Sequence, residues 1–318
     1  MIVFVYTKIP EIKKHKHAPQ FHFIGNTPLI ELTNFSVFSE LDNVRIFAKL
    51  EMMNLGGSVK DRPALFMIEA AESAGLLTEG KEIIEPSSGN TGIGLAWIGS
   101  LKGYQVTIIM PETASQERID IIRGLGARVI LTPEKEGTDG AIRRVKDLVD
   151  KQPERFILLD QFNNQANWRA HYEGTGREIW QQTNGAITHL IAGIGSGGTI
   201  MGTSRYLREK KPSIKVIGIQ PTKDSFIPGL RNTDTALIVP SIYHEEELDK
   251  IFYVTANEAQ SMTKRLAREA SLLVGPSSGA ALAGILKYCL FSDDCIKGNI
   301  VTIFPDSGVN YLSQGIIH

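Results

Sequence analysis

Cysteine is scarce in this chain: its 318 residues include two, Cys289 and Cys295, close together near the C-terminus. No cluster of histidines or further cysteines accompanies them. That argues against a bound metal or a disulfide framework and fits a reducing, cytoplasmic setting. A preponderance of one charge is missing as well. The formal net charge of −1 gives no electrostatic reason to expect nucleic acid or an anionic membrane as a partner. No window approaches the roughly 20 apolar residues that span a bilayer. The N-terminal MIVFVYTKIPEIKKHKH puts its short apolar stretch ahead of its basic cluster, the reverse of a secretory signal. Residues 1–22 are expected to form a solvated tail or an arm on a partner subunit. Internal repeats and low-complexity linkers are absent too, so no hinge peptide separates the lobes that this length implies.

What the chain does contain is alternation. VRIFAKL, KEIIEP, QVTIIMP, RVILTP, FILLDQF, HLIAGIG, KVIGIQP, IFYV and NIVTIFP are short apolar runs, each expected to be a buried strand. Between them lie helix-like stretches such as DRPALFMIEAAESAG, TGIGLAWIGSLKG, DGAIRRVKDLVDK and EAQSMTKRLAREAS. Gly75 and Gly103 mark helix ends. Strand–helix alternation predicts an α/β protein with mainly parallel sheets and right-handed crossovers.

The stretch AGIGSGGTIMG, residues 192–202, satisfies G-x-G-x-x-G through Gly193, Gly195 and Gly198. A dinucleotide fold also needs an acid about 20 residues on, at the tip of the next strand. That tip is Gln220, and Asp224 falls beyond Pro221 in a loop. Ser196, Thr199 and consecutive backbone N–H groups at a helix start suit a phosphate monoester better. A ligand-free strand-to-helix turn is the remaining alternative.

Three other segments follow a similar plan. GGSVKDRPALF puts Lys60 at a helix start, where the helix dipole disfavours its charged form and leaves an amine able to react with an aldehyde. The plain alternative is a solvated lysine paired with Asp61. EPSSGNTG places hydroxyl and amide donors from Ser87 to Thr91 at a helix start, a cradle for a carboxylate or oxyanion, although Asn90 would also serve as a simple N-cap. GPSSGAAL, residues 275–282, is a third glycine-bracketed serine loop.

Together these motifs resemble the fold type II, or β-family, pyridoxal-phosphate enzymes, and within them the cysteine synthases (O-acetylserine sulfhydrylases). The likeness runs from IGNTPLIEL at Ile24 to PDSGVNYLS near the C-terminus. LLDQFNN, GREIWQQTNGAITH and IQPTKDSFIPGLRN look closest to the B type. The resemblance implies a smaller lobe over residues 51–164 and a larger cofactor-binding lobe from 23–50 plus 165–312. The position of about 106–150 beside the Ser87–Thr91 loop makes that part of the smaller lobe the expected mobile piece. It implies pyridoxal 5'-phosphate bonded to Lys60, with Asn90 at the cofactor's 3-oxygen and Ser277 at its pyridine nitrogen. Gly195, Ser196, Gly197, Gly198 and Thr199 would take the phosphate. Ser87, Ser88, Gly89, Thr91 and Gln161 would hold the substrate carboxylate, with Gly229 and Arg231 also on the substrate side.

The activity so implied is replacement of the acetoxy group of O-acetyl-L-serine by sulfide or thiosulfate, giving L-cysteine and acetate. The resemblance also implies a homodimer, with serine acetyltransferase as protein partner. O-phosphoserine as substrate, cystathionine formation from O-acetylserine, a dehydratase and a non-catalytic acetyltransferase partner are the alternatives. Arg231 within IPGLRN is the residue that would attract an anionic leaving group or thiosulfate; as a surface arginine it would do neither.

Overall fold

The apolar runs become parallel strands because both of their faces are covered. The computed structural model describes residues 18–316 apart from 34, 39–42, 88, 237 and 293–295. The strands are β1 (Leu29–Glu31), β2 (Val44–Leu50), β3 (Glu82–Pro86), β4 (Val106–Pro111), β5 (Arg128–Thr132), β6 (Phe156–Leu158), β7 (Ile187–Gly193), β8 (Lys215–Pro221), β9 (Lys250–Val254) and β10 (Gly298–Phe304). The helices are α1 (Asp61–Ser73), α2 (Asn90–Lys102), α3 (Gln116–Gly124), α4 (Gly137–Lys151), α5 (Gln165–Ala170), α6 (Arg177–Gln182), α7 (Gly198–Lys210), α8 (Ala256–Glu269) and α9 (Pro276–Phe291). A π-helical turn, His171–Gly176, joins α5 to α6.

Two sheets result. One has the order β1-β2-β10-β7-β8-β9, the other β5-β4-β3-β6. Every pairing is parallel except β1 on β2, where Leu29 faces Lys49. The four-stranded sheet is built wholly from residues 82–158, inserted between β2 and β7 of the larger one. β4 is buried at every position, as VTIIMP requires when helices cover both faces. On one side of the large sheet Ile191, Ile217, Ile219 and Ile300 pack with α8 and α9 through Leu266, Leu282 and Ile285; on the other Leu190, Val216 and Val301 meet Ile200, Met201 and Leu207 of α7. Ile83, Ile108 and Met110 form the core of the small sheet with α1 and α2.

The helix punctuation acts as the residue types demand. Gly103 caps α2 in the left-handed region, with φ of 76°. Thr255 and Glu258 make a reciprocal capping box at α8. FILLDQF behaves differently from its expected full-length strand: β6 stops at Leu158, and Asp160 turns the chain at a positive φ of 56°. The turn is held because Glu85 Oε2 accepts the Asp160 N–H at 3.0 Å and Oε1 the Gln161 N–H at 2.9 Å.

Of the expected N-terminal tail, residues 1–17 lie outside the described residues, and 18–22 are docked. Ala18 is buried, and the Phe21 ring packs edge-on against Trp97 of α2 at 6.4 Å. Among the described residues no helix is long and apolar enough to cross a membrane, and no group of three or more His, Cys, Asp or Glu is placed to hold a metal ion.

Candidate active site

Lys60 is the N-cap of α1, and its segment is fixed to the end of β10 by the Val59 N–H donating to the Pro305 carbonyl at 2.8 Å. The pairing with Asp61 does not form. Asp61 folds back so that its carboxylate accepts the Gly56 N–H at 2.7 Å. A Cβ on Gly56 would lie 2.5 Å from that carboxylate and force it to shift. Among the described residues no hydrogen bond holds the Lys60 amine. Burial pushes it down to about 8, while the carboxylate of Asp306 works the other way. An amine at that value has an appreciable neutral fraction near pH 7, which is what attack on an aldehyde or removal of a proton requires.

The loop after β3 turns its donors inward. Ser87 Oγ accepts the N–H groups of Gly89 at 3.1 Å and Gly92 at 3.0 Å, so this hydroxyl also shapes the loop. Gly89, not Asn90, is the N-cap of α2, which frees the Asn90 side chain from capping. Asn90 Nδ2 donates to Asp306 at 2.6 Å, and its Oδ1 is buried without a partner among the described residues. Thr91 donates to Gln161 Oε1 at 2.7 Å, joining the two residues expected at a substrate carboxylate. Ser88 lies outside the described residues.

The glycine loop ends β7 and opens α7. Gly197, at φ 85°, is the N-cap, so successive backbone N–H groups converge where α7 begins. The close fit explains the glycines. A Cβ on Gly195 would sit 2.5 Å from the Gly229 carbonyl, and one on Gly198 2.0 Å from Asn167 Oδ1. Gln220, the residue that would have to hold a ribose, is buried and committed to Thr233, donating to its hydroxyl at 2.8 Å and accepting its N–H at 2.9 Å. Dinucleotide binding has no partner there.

Lys60, Asn90, Gly195, Ser196, Gly197, Thr199, Gly229 and Ser277 all border one cavity. Gln161, Thr91 and Ser87 border the adjoining cleft. Arg231 lies at that cleft too, half-buried, donating to the Ile238 carbonyl at 3.0 Å with its guanidinium 4.8 Å from the Phe162 ring. Burial lowers its pKa, with Asp139 opposing.

Sequence reasoning missed a cluster behind the lysine. Tyr311 donates to Asp306 at 2.6 Å on the oxygen that Asn90 also reaches, and Arg118 approaches it at 3.8 Å while lying over the Tyr311 ring at 4.3 Å. Burial raises the Asp306 carboxyl, and Arg118, Tyr311 and Asn90 draw it down. PDSGVNYLS contained both Asp306 and Tyr311, but nothing in that string reveals a partner more than 200 residues away in sequence. Cys289 is half-buried and its thiol is pushed up to about 11 by desolvation, which makes it unreactive; Cys295 lies outside the described residues.

The site fits a phosphorylated aldehyde cofactor on its own evidence: an amine and an Asn90 oxygen that have no hydrogen-bond partner among the described residues, an uncharged Ser277 and a glycine-walled loop at a helix start face one space. The comparisons agree. Residues 21–306 match the family model described as pyridoxal-phosphate dependent enzyme. Cysteine synthase of Aquifex aeolicus is 47% identical over 92% of this chain and 90% of its own length. Cysteine synthase B of Pseudomonas aeruginosa is 42% identical over 92% and 95%. Among solved structures, cysteine synthase (OASS) from Entamoeba histolytica superposes with a TM-score of 0.87 at 34% identity, covering 99% of this chain and 94% of that one. The chain therefore belongs to the pyridoxal-phosphate-dependent enzymes of fold type II, in the cysteine synthase family.

Proposed function

We propose that this enzyme makes L-cysteine by replacing the acetoxy group of O-acetyl-L-serine with sulfide, and that the residues gathered at the cavity carry out the reaction. The observation that supports it most is the convergence of Lys60, Asn90, Thr199 and Ser277 on one space beside the Thr91–Gln161 pair. Pyridoxal phosphate, when bound, supplies an electron sink for the substrate's α-carbon. The chain's residues then divide the work. The loop from Gly195 to Thr199 holds the phosphate, Asn90 the 3-oxygen, and Ser277 the pyridine nitrogen with a neutral hydroxyl. Ser87, Ser88, Gly89, Thr91 and Gln161 orient the substrate carboxylate. Lys60 Nζ removes the α-proton and returns it once sulfide has added. Cysteine formation from O-acetylserine and sulfide by the purified yellow protein tests the reading. A coloured protein that yields no cysteine overturns it.

The small sheet with its helices, residues 51–164, is the proposed smaller lobe, and 23–50 plus 165–312 the larger. Residues 106–150 are proposed to close over substrate and exclude water. Ser115 Oγ donates to the Asn310 carbonyl at 2.9 Å and Glu117 accepts from Ser313 at 2.7 Å, so closure has to carry residues 310–313 along or break these bonds. Hydrogen exchange across 106–150 should slow when a substrate analogue is bound; equal exchange in both states rules closure out.

Arg231 is the proposed specificity residue. Arg231→Ala should lower kcat/KM with O-phosphoserine or thiosulfate about ten- to a hundredfold, the ~1.5–3 kcal/mol of one charge-assisted contact. O-acetylserine with sulfide should change little, and lysine should restore part of the loss. A uniform fall for every substrate pair would mean that Arg231 acts through Phe162 and Ile238 on the fold. A homodimer, supported by the exposed Leu290 and Phe291 at the end of α9, a cytoplasmic location and serine acetyltransferase as partner complete the proposal.

A further inference from the structure

Behind the phosphate loop two fully buried polar side chains, His171 and Thr175, connect to Thr199 of the loop itself. α7 packs against the turn after α5 so tightly that a Cβ on Gly202 would lie 2.0 Å from the Trp168 carbonyl and 2.8 Å from His171 Cβ. This seating brings His171, fully buried, between two threonines. Its Nδ1 is 2.9 Å from Thr175 Oγ1, and its Nε2 is 3.3 Å from Thr199 Oγ1. Thr199 borders the cofactor cavity.

The direction of the hydrogens along this chain follows from counting donors. Thr175 is also fully buried, and among the described residues its hydroxyl has one partner, His171 Nδ1. A buried O–H left without an acceptor is costly, so Thr175 donates and Nδ1 accepts. A neutral imidazole carries one hydrogen, which must then be on Nε2, where it points at Thr199 Oγ1. Thr199 thus accepts from behind, and its own hydrogen is left to point into the cavity. The opposite order would turn a threonine lone pair toward an anion.

We propose that His171 is a positioning residue, locked as the Nε2–H tautomer by Thr175, that makes Thr199 an obligatory hydrogen donor to the cofactor phosphate. This rests on the assignment of residues 195–199 to that phosphate. Burial and the nearby charge of Arg62 push His171 down to about 3, so the ring stays neutral at any working pH.

The test uses holoenzyme with 15N-labelled histidine rings, the His171 signals being identified by their loss in His171→Asn. Nε2 should carry the hydrogen and Nδ1 should not; a hydrogen on Nδ1 overturns the proposal. Thr175→Val keeps the shape and removes the donor, and should weaken cofactor binding about tenfold, while Thr175→Ser stays near wild type. Unchanged cofactor affinity in a folded Thr175→Val also overturns it. Thr199→Val separates the two layers: if it binds cofactor as tightly as wild type, the phosphate assignment itself fails, whichever tautomer is found.

Discussion

Lys60→Ala should give a folded protein that no longer holds cofactor covalently and turns over at least on the order of a thousandfold more slowly, the scale of losing a nucleophile that is also the general base. Folding should survive because the Lys60 side chain supports little. Its amine has no hydrogen-bond partner among the described residues, and the Val59–Pro305 and Ala64–Lys60 bonds that place the segment are backbone bonds. Burial already works against the charged amine, so removal relieves a cost. The same depressed value gives a pH signature. Only the neutral amine attacks an aldehyde, so the rate of cofactor uptake by the cofactor-free protein should rise with pH and level off above about 8. An unperturbed lysine would still be rising at pH 10. Borohydride reduction followed by peptide mapping locates the attachment, and a label on any other lysine sinks the assignment.

The parts of this site that were legible in sequence are those whose chemistry sits within one loop. SVKDR, SSGNTG, GSGGT and GPSSG each place their own functional group at a helix start, and local backbone geometry is enough to aim it. What could not be read are the residues that act through a distant partner. Asp306 meets Asn90 across 216 positions, Glu85 fixes Gln161 across 76, and His171 reaches Thr199 across 28. None of them carries a sign of its partner in the local sequence; the folded sheets bring the partners together. The shortened β6 has the same origin. FILLDQF has strand composition throughout, and only the buried Glu85 carboxylate, pushed up to about 8 by desolvation, shows why its end turns into the cleft instead.

A further arginine, two residues beyond the lysine, should dominate stability. Arg62 donates to Glu51 through Nε at 2.7 Å and Nη2 at 2.8 Å, and to Glu178 through Nη1 at 2.6 Å and Nη2 at 2.8 Å. Lys49 adds a second cation 2.7 Å from Glu178. The four charges tie α1 to the end of β2 and to α6. The fit is close enough that a Cβ on Gly25 or Gly174 would come within 2.8 Å of Arg62 Nη1. Arg62→Met leaves Glu51 fully buried with one arginine fewer, a change that costs about 3–5 kcal/mol, or a Tm lower by roughly 4–8 °C for a chain of this length. Arg62→Lys keeps one charge without the double fork and should fall between the two. The pH dependence has a definite sign. Arg62 and Lys49 hold Glu178 at about 2, below its ordinary 4.5. Its stabilising contribution is therefore complete above about 4.5 and is lost as the pH falls toward 2. The Tm gap between wild type and Arg62→Met should accordingly narrow over that interval. Calorimetry across pH 2–7 decides it: a gap already below about 1 °C at pH 7 would mean that packing around α1, and not this charge network, holds the lysine's helix in place.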